Sequence, residues 1–107
     1  MEHALHAIAE PNRREILRLV KDRERSAGEI AAFFDLTRPA ISQHLQVLAN
    51  AGLVTVRKEG TRRMYRARPE GLEGLREYIE EFWIERLTML KEAAEEEERS
   101  KQDAEGR

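Results

Sequence analysis

Thr37-Arg38-Pro39-Ala40-Ile41-Ser42-Gln43-His44-Leu45-Gln46-Val47-Leu48-Ala49-Asn50, followed by Ala51-Gly52, is the stretch on which the reading of this chain turns. Thr37 suits an N-cap because its hydroxyl can accept a free first-turn amide, and Pro39 is tolerated in that turn. Ile41, Leu45 and Leu48 recur at i, i+4 and i+7, one face of an α-helix, and Asn50-Ala51-Gly52 closes it. With that face turned inward, Arg38, Pro39, Ser42, Gln43 and Gln46 lie opposite. They form a short hydrogen-bonding set of the size that enters a major groove. Ser and Gln can donate to and accept from base edges, and Gln can pair with adenine in two places. Arg38 can reach a guanine or a phosphate, and Thr37 with the helix N-terminus can position a phosphate. A solvated surface helix would show the same polarity, so its neighbours decide the matter.

Upstream, residues 3–8 read as a short helical lead-in with Leu5 and Ile8 on one side. Pro11 begins a full helix in which Ile16, Leu17 and Val20 repeat at helical spacing; it ends near Lys21, in the charged turn Asp22–Arg25. Ser26-Ala27-Gly28-Glu29 is a capping box, hydroxyl and carboxylate satisfying free amides reciprocally. Ile30, Ala31 and Phe34 follow as a buried stripe, and that helix is expected to stop at Asp35-Leu36.

Downstream the period changes. Leu53–Glu59 is rich in Val and Thr, Gly60-Thr61 supplies a tight turn, and Arg62–Arg68 returns as a second strand. Val54, Val56, Met64 and Tyr65 are its candidate apolar contacts, and a lone hairpin must lean on the helices. After Pro69, the residues Leu72, Leu75, Ile79, Phe82, Trp83, Leu87 and Leu90 form a helical stripe of about five turns. Gly71 and Gly74 weaken its start. From Glu95 to Arg107 no large apolar side chain occurs, and fraying or disorder is expected. The division is therefore one domain at 1–94 and an acidic tail at 95–107.

Charge is unevenly spread. The chain of 107 residues has a formal net charge of −2. Residues 53–69 nevertheless hold six Arg and Lys against Glu59 alone, a local +5, whereas residues 70–107 hold six basic and thirteen acidic groups, a local −7. Salt screens charges beyond roughly 10 Å, so a basic ribbon can meet phosphates while the acidic segment stays in solvent. The basic wing exceeds what edge protection requires. Lys58, Thr61, Arg62 and Arg63 are its expected phosphate contacts; Arg66 and Arg68, at the far end, are candidates for pairing with acidic groups instead.

Several functions are excluded. The chain has no cysteine, which removes disulfides, thiolate metal sites and thiol switching. The apolar runs are too short to span a membrane, and Met1-Glu2-His3 lacks the flank of a signal peptide, so a cytoplasmic location is expected. No Ser/His/Asp constellation, phosphate loop or paired-carboxylate cleft can be placed, so no catalysis and no cofactor are expected. His3 and His6 can share a helix face, but two histidines do not close a metal site, and surface histidines are the default. His44, beside Leu45, is as suited to packing or bonding the backbone as to touching DNA.

The order helix, helix, turn, helix, basic hairpin is mainly α with a small β-hairpin, a winged helix-turn-helix. Glu10-Pro11-Asn12-Arg13-Arg14-Glu15-Ile16-Leu17, Leu36 through Leu45, Leu48 through Val54 and the wing Arg57 through Tyr65 resemble the ArsR-type repressors, over about residues 5–90. The resemblance implies a dimer built from the first and last helices, with Arg38, Pro39, Ser42 and Gln43 facing DNA. The family's recognition-region metal site uses cysteines, and here the matching stretch is Ala31-Ala32-Phe33-Phe34-Asp35. Its C-terminal-helix site uses histidines, and none follows His44. The chain resembles the cysteine-free, metal-independent branch.

The expected function is that of a homodimeric repressor reading an inverted-repeat operator with helix 37–50 and wing 53–68. The dimer would close through Leu5, Ile8, Ile79, Phe82, Trp83, Leu87 and Leu90, and double-stranded DNA and a second copy are the expected partners. Two alternatives stay open: a winged-helix module that docks an acidic protein, and a repressor with a non-cysteine metal or small-ligand effector site.

Overall fold

The computed structural model describes residues 1–105. Its elements are α1 (Glu2–Ile8), α2 (Pro11–Val20), β1 (Arg25–Ser26), α3 (Ala27–Ala31), α4 (Arg38–Asn50), β2 (Val54–Glu59), β3 (Arg62–Ala67), a 3-10 turn (Pro69–Leu72) and α5 (Glu73–Glu105). They form two compact units, Met1–Leu75 and the portion from Arg76 onward.

The first unit is a winged helix-turn-helix whose core comes from every helix. Ile16 and Val20 of α2, Ile30 of α3, Ile41, Leu45 and Leu48 of α4, and Leu53 are each at most 1% exposed. Burying each such side chain contributes roughly 1.5–3 kcal/mol, so these seven set how the helices rotate about their axes. The caps agree with the local sequence. Glu10 accepts the Arg13 amide at 3.0 Å, Ser26 and Glu29 close a full capping box, and Thr37 Oγ1 accepts the Ala40 amide at 3.2 Å.

The sheet holds one strand more than the sequence indicates. The order is β1-β3-β2, all antiparallel. Arg25 pairs with Tyr65 and Ser26 with Met64, so Arg25, expected in a charged turn, opens a strand. Two residues cannot display a period of two, and Ser26 is also the N-cap of α3, which conceals its pairing. The α3 helix is shorter than expected, ending at Ala31 rather than near Asp35. Phe34 packs partly against the core, while Phe33 turns outward beneath the Arg25 guanidinium, 4.9 Å from the ring centroid. Val54, Met64 and Tyr65 are buried as expected, but Val56 is 44% exposed. Beyond Val54 every residue of β2 is exposed, because this edge strand runs out past the helices.

Gly52 closes α4 with φ of +73°, the left-handed conformation that glycine adopts without steric cost. Gly71 has a different task from the helix weakening expected of it. It lies in the 3-10 turn, and a Cβ there would overlap the Gly52 carbonyl. That close approach brings the base of the wing back to the end of α4.

The second unit is the greater part of α5, a helix 33 residues long counted from Glu73. Ile79, Phe82, Trp83, Leu87 and Leu90 are 44–59% exposed, and Tyr78 meets Phe82 edge-on at 5.2 Å. The helix continues past Ala94, where fraying was expected, through Glu105. Glu, Lys, Arg, Gln and Ala are strong helix formers, and Arg99 pairs with Glu96 one turn away at 2.8 Å. Ala94 thus marks the end of the apolar stripe and not of the helix. Gly106 and Arg107 lie outside the described residues. No helix among the described residues is long and apolar enough to cross a membrane.

Candidate nucleic-acid interface

Burial of Ile41, Leu45 and Leu48 fixes the rotation of α4, and the opposite face is open. Thr37, Arg38, Pro39, Ser42, Gln43 and Gln46 are all exposed, as are Lys58, Thr61, Arg62 and Arg63 on the wing. The fold brings six of these ten together. Arg38, Ser42 and Gln46 from α4 and Thr61, Arg62 and Arg63 from the wing line one open groove of about 510 Å³. Thr37, Pro39, Gln43 and Lys58 lie outside it, at the start of α4, on its outer face and on β2.

The groove is cationic, lined by Arg38, Arg62 and Arg63, and the arginines of the wing are not equivalent. Arg57 is clamped: its Nε and Nη2 donate to the two Glu24 oxygens at 3.1 and 2.7 Å, and Nη2 also reaches Glu59 at 3.2 Å. The contact lowers the Glu24 pKa and raises that of Arg57. Arg62 Nη2 donates to Glu29 Oε1 at 2.7 Å. Arg68 Nη1 donates to the Gly52 carbonyl at 3.2 Å, so it serves a helix end rather than an acidic group. Arg66 lies near enough to Glu24 to help lower its pKa. Among the described residues, Arg38, Lys58 and Arg63 make no ion pair, which leaves their full charge for a polyanion.

Two residues absent from the expected set bear on the site. Glu29 binds a wing arginine as well as capping α3; its carboxyl lies below the ordinary range, chiefly through Ser26, with Arg62 adding to it. Asn50 Oδ1 accepts from Gln46 Nε2 at 2.9 Å, restraining a candidate base reader. The i, i+4 spacing of Gln46 and Asn50 was the available signal; nothing local announces Glu29 and Arg62, which are 33 residues apart.

His44 faces the helical side rather than the groove. Arg13 Nη1 lies 3.3 Å from its Nδ1, while Arg13 Nε and Nη2 donate to the Ala7 and His6 carbonyls at 2.7 and 3.2 Å. Arg13 thus joins the end of α1 to α4. Among the described residues, no group of three or more His, Asp or Glu could hold a metal.

Comparison with known proteins bears on the family and the fold. The profile of the family described as "Bacterial regulatory protein, arsR family" matches residues 10–56. The chain is 41% identical over 87 residues to the HTH-type transcriptional regulator Rv2034 of Mycobacterium tuberculosis, covering 81% of each protein. It is 38% identical over 60 residues to the transcriptional repressor SdpR of Bacillus subtilis, covering 56% of this chain and 67% of that one. The crystal structure of a possible transcriptional regulator for arsenical resistance superposes with a TM-score of 0.68 at 48% identity, over 80% of this chain and 90% of the other.

Proposed function

The chain belongs to the arsR family of bacterial regulatory proteins, a family of transcriptional regulators and not of enzymes, and on that premise we propose that it is a homodimeric repressor reading an inverted-repeat operator. The observation that carries this reading is the groove in which Arg38, Ser42 and Gln46 converge with Thr61, Arg62 and Arg63. Base-edge donors on a helix and cations on a wing, opening on one side, match the division of labour in which phosphate contacts position and base contacts specify.

In this reading Ser42, Gln43 and Gln46 read bases, Arg38 reads a guanine or holds a phosphate, and Thr37 and Pro39 set the start of α4 against the backbone. Lys58, Thr61 and Arg63 hold phosphate, joined by Arg62. The second copy docks through Leu5, Ile8, Ile79, Phe82, Trp83, Leu87 and Leu90; all but Ile8 are exposed in the single chain. Residues 1–94 carry DNA binding and dimerisation, and the charged extension from Glu95 carries neither. Two recognition helices about one helical turn apart, roughly 34 Å, would enter successive major grooves. Repression follows from occupying a promoter in the cytoplasm.

The test is selection of bound sites from random duplex DNA by the purified full chain at near-physiological salt. An enriched inverted repeat with half-sites one turn apart is the expected result. Recovery of no preferred sequence by folded, dimeric protein would overturn sequence-specific reading. Weak binding to duplex DNA that hardly changes with salt would favour a protein-docking wing instead.

A further inference from the structure

Arg62 lines the groove, yet its nearest charged neighbour is a carboxylate of the same chain. Glu29 Oε1 receives Arg62 Nη2 at 2.7 Å and the Ser26 amide at 3.3 Å. One oxygen therefore closes the α3 capping box and ties down a wing arginine. We propose that Glu29 occupies the phosphate position of Arg62, holding the guanidinium until a DNA phosphate displaces it, and so sets the affinity and salt dependence of the wing. The proposal rests on the DNA-binding reading above.

Three observations support an exchangeable contact. First, the pair is open to solvent, with side chains 56% and 38% exposed, where an ion pair is weak and its partners trade readily. Second, among the described residues Arg62 is engaged through Nη2 alone, whereas Arg57 is held through two nitrogens by two carboxylates. Guanidinium suits carboxylate and phosphate by the same fork geometry, so a phosphate can take over a singly held Arg62 more easily than the clamped Arg57. Third, Glu29 stays ionised well below neutrality, its carboxyl lowered by Ser26 and by Arg62, so the contact persists at physiological pH. The wing then presents unpaired Lys58 and Arg63 together with one arginine released on contact.

Charge and cap can be separated by Glu29→Gln, since a Gln carbonyl still accepts the Ser26 amide. Binding of the full chain to operator and random duplexes would be measured across a salt series for the parent, Glu29→Gln, Arg62→Ala and the double variant. Glu29→Gln should tighten both duplexes about two- to fivefold and steepen the salt slope by about one, and the gain should vanish in the Arg62→Ala background. Independently of that variant, Arg62→Ala should weaken binding less than Arg63→Ala. Weaker binding by folded Glu29→Gln would make Glu29 a positioning residue and overturn the proposal. A gain of equal size without Arg62 would overturn it as well, being only the general effect of removing a negative charge. Failure of the parent itself to bind duplex DNA would instead defeat the function proposed above.

Discussion

The winged head and the long helix treat their apolar residues in opposite ways. In Met1–Leu75 the large side chains Ile16, Ile30, Ile41, Leu45 and Leu48 are hidden, and what faces solvent on α4 is polar or cationic. In α5 the apolar stripe is more than two-fifths exposed at every position from Ile79 to Leu90. The head hides most of its large apolar residues within one chain, with Leu5, Phe33 and Val56 among the exceptions. Among the described residues of α5 the apolar stripe stays open to solvent, the exposure that the proposed dimer seam would cover. In the proposed reading recognition belongs to the head and assembly mainly to α5, with Leu5 and Ile8 of the head joining the seam.

The largest expected effect breaks the helix side. Trp83→Asp puts a charge into the proposed dimer seam and should cost about 4–8 kcal/mol per dimer, the upper range for a buried aromatic anchor. Sedimentation should show monomer with an unchanged thermal transition for the head; a persistent dimer would place the seam elsewhere. Next is the head's own core. Leu45→Ala should lower unfolding stability by about 2–5 kcal/mol in urea titrations, and a loss under 1 kcal/mol would mean that α4 is not anchored there. On the exposed face of the same helix, Gln43→Ala should leave stability unchanged and cost about 1–3 kcal/mol on operator alone. Equal losses on operator and random DNA would remove Gln43 from the base readers.

The smallest effect concerns pH. Glu24 and Glu29 have folded-state pKa values below the ordinary carboxylate range, so their stabilisation is fully present above that range and lost as pH falls through the lowered values. Head stability should therefore hold level from neutrality down to about pH 5 with respect to these groups and decline below it. Glu24→Gln with Glu29→Gln should flatten that decline, and an unchanged acid limb would mean that other carboxylates govern it.

Most of the head was legible because its signals are local. The caps at Ser26 and Thr37, the i, i+4, i+7 stripe of α4 and the turn at Gly60 each lie within a few residues, and each has one low-energy reading. The candidate DNA face followed from the stripe, since fixing the buried side of a helix fixes its exposed side. Less legible were β1, two residues that gain meaning only from Met64 and Tyr65, and the outward turn of Phe33. Val56 has the alternation of a buried residue, but the reach of the helices, which alternation does not report, leaves it open.

Periodicity and capping therefore dictated the helices, the wing and the polar surface of α4, because those depend on neighbours along the chain. How the wing arginines are paired was decided by the tertiary structure. Arg57, Arg62 and Arg63 all count as basic wing residues in the sequence, but Glu24 and Glu29, each 33 residues away from its partner, pair with the first two, while Arg63 makes no ion pair among the described residues. Charge acts through space rather than along the chain, so contacts at 2.7 Å between residues far apart in sequence distinguish arginines that a local count of basic residues leaves alike.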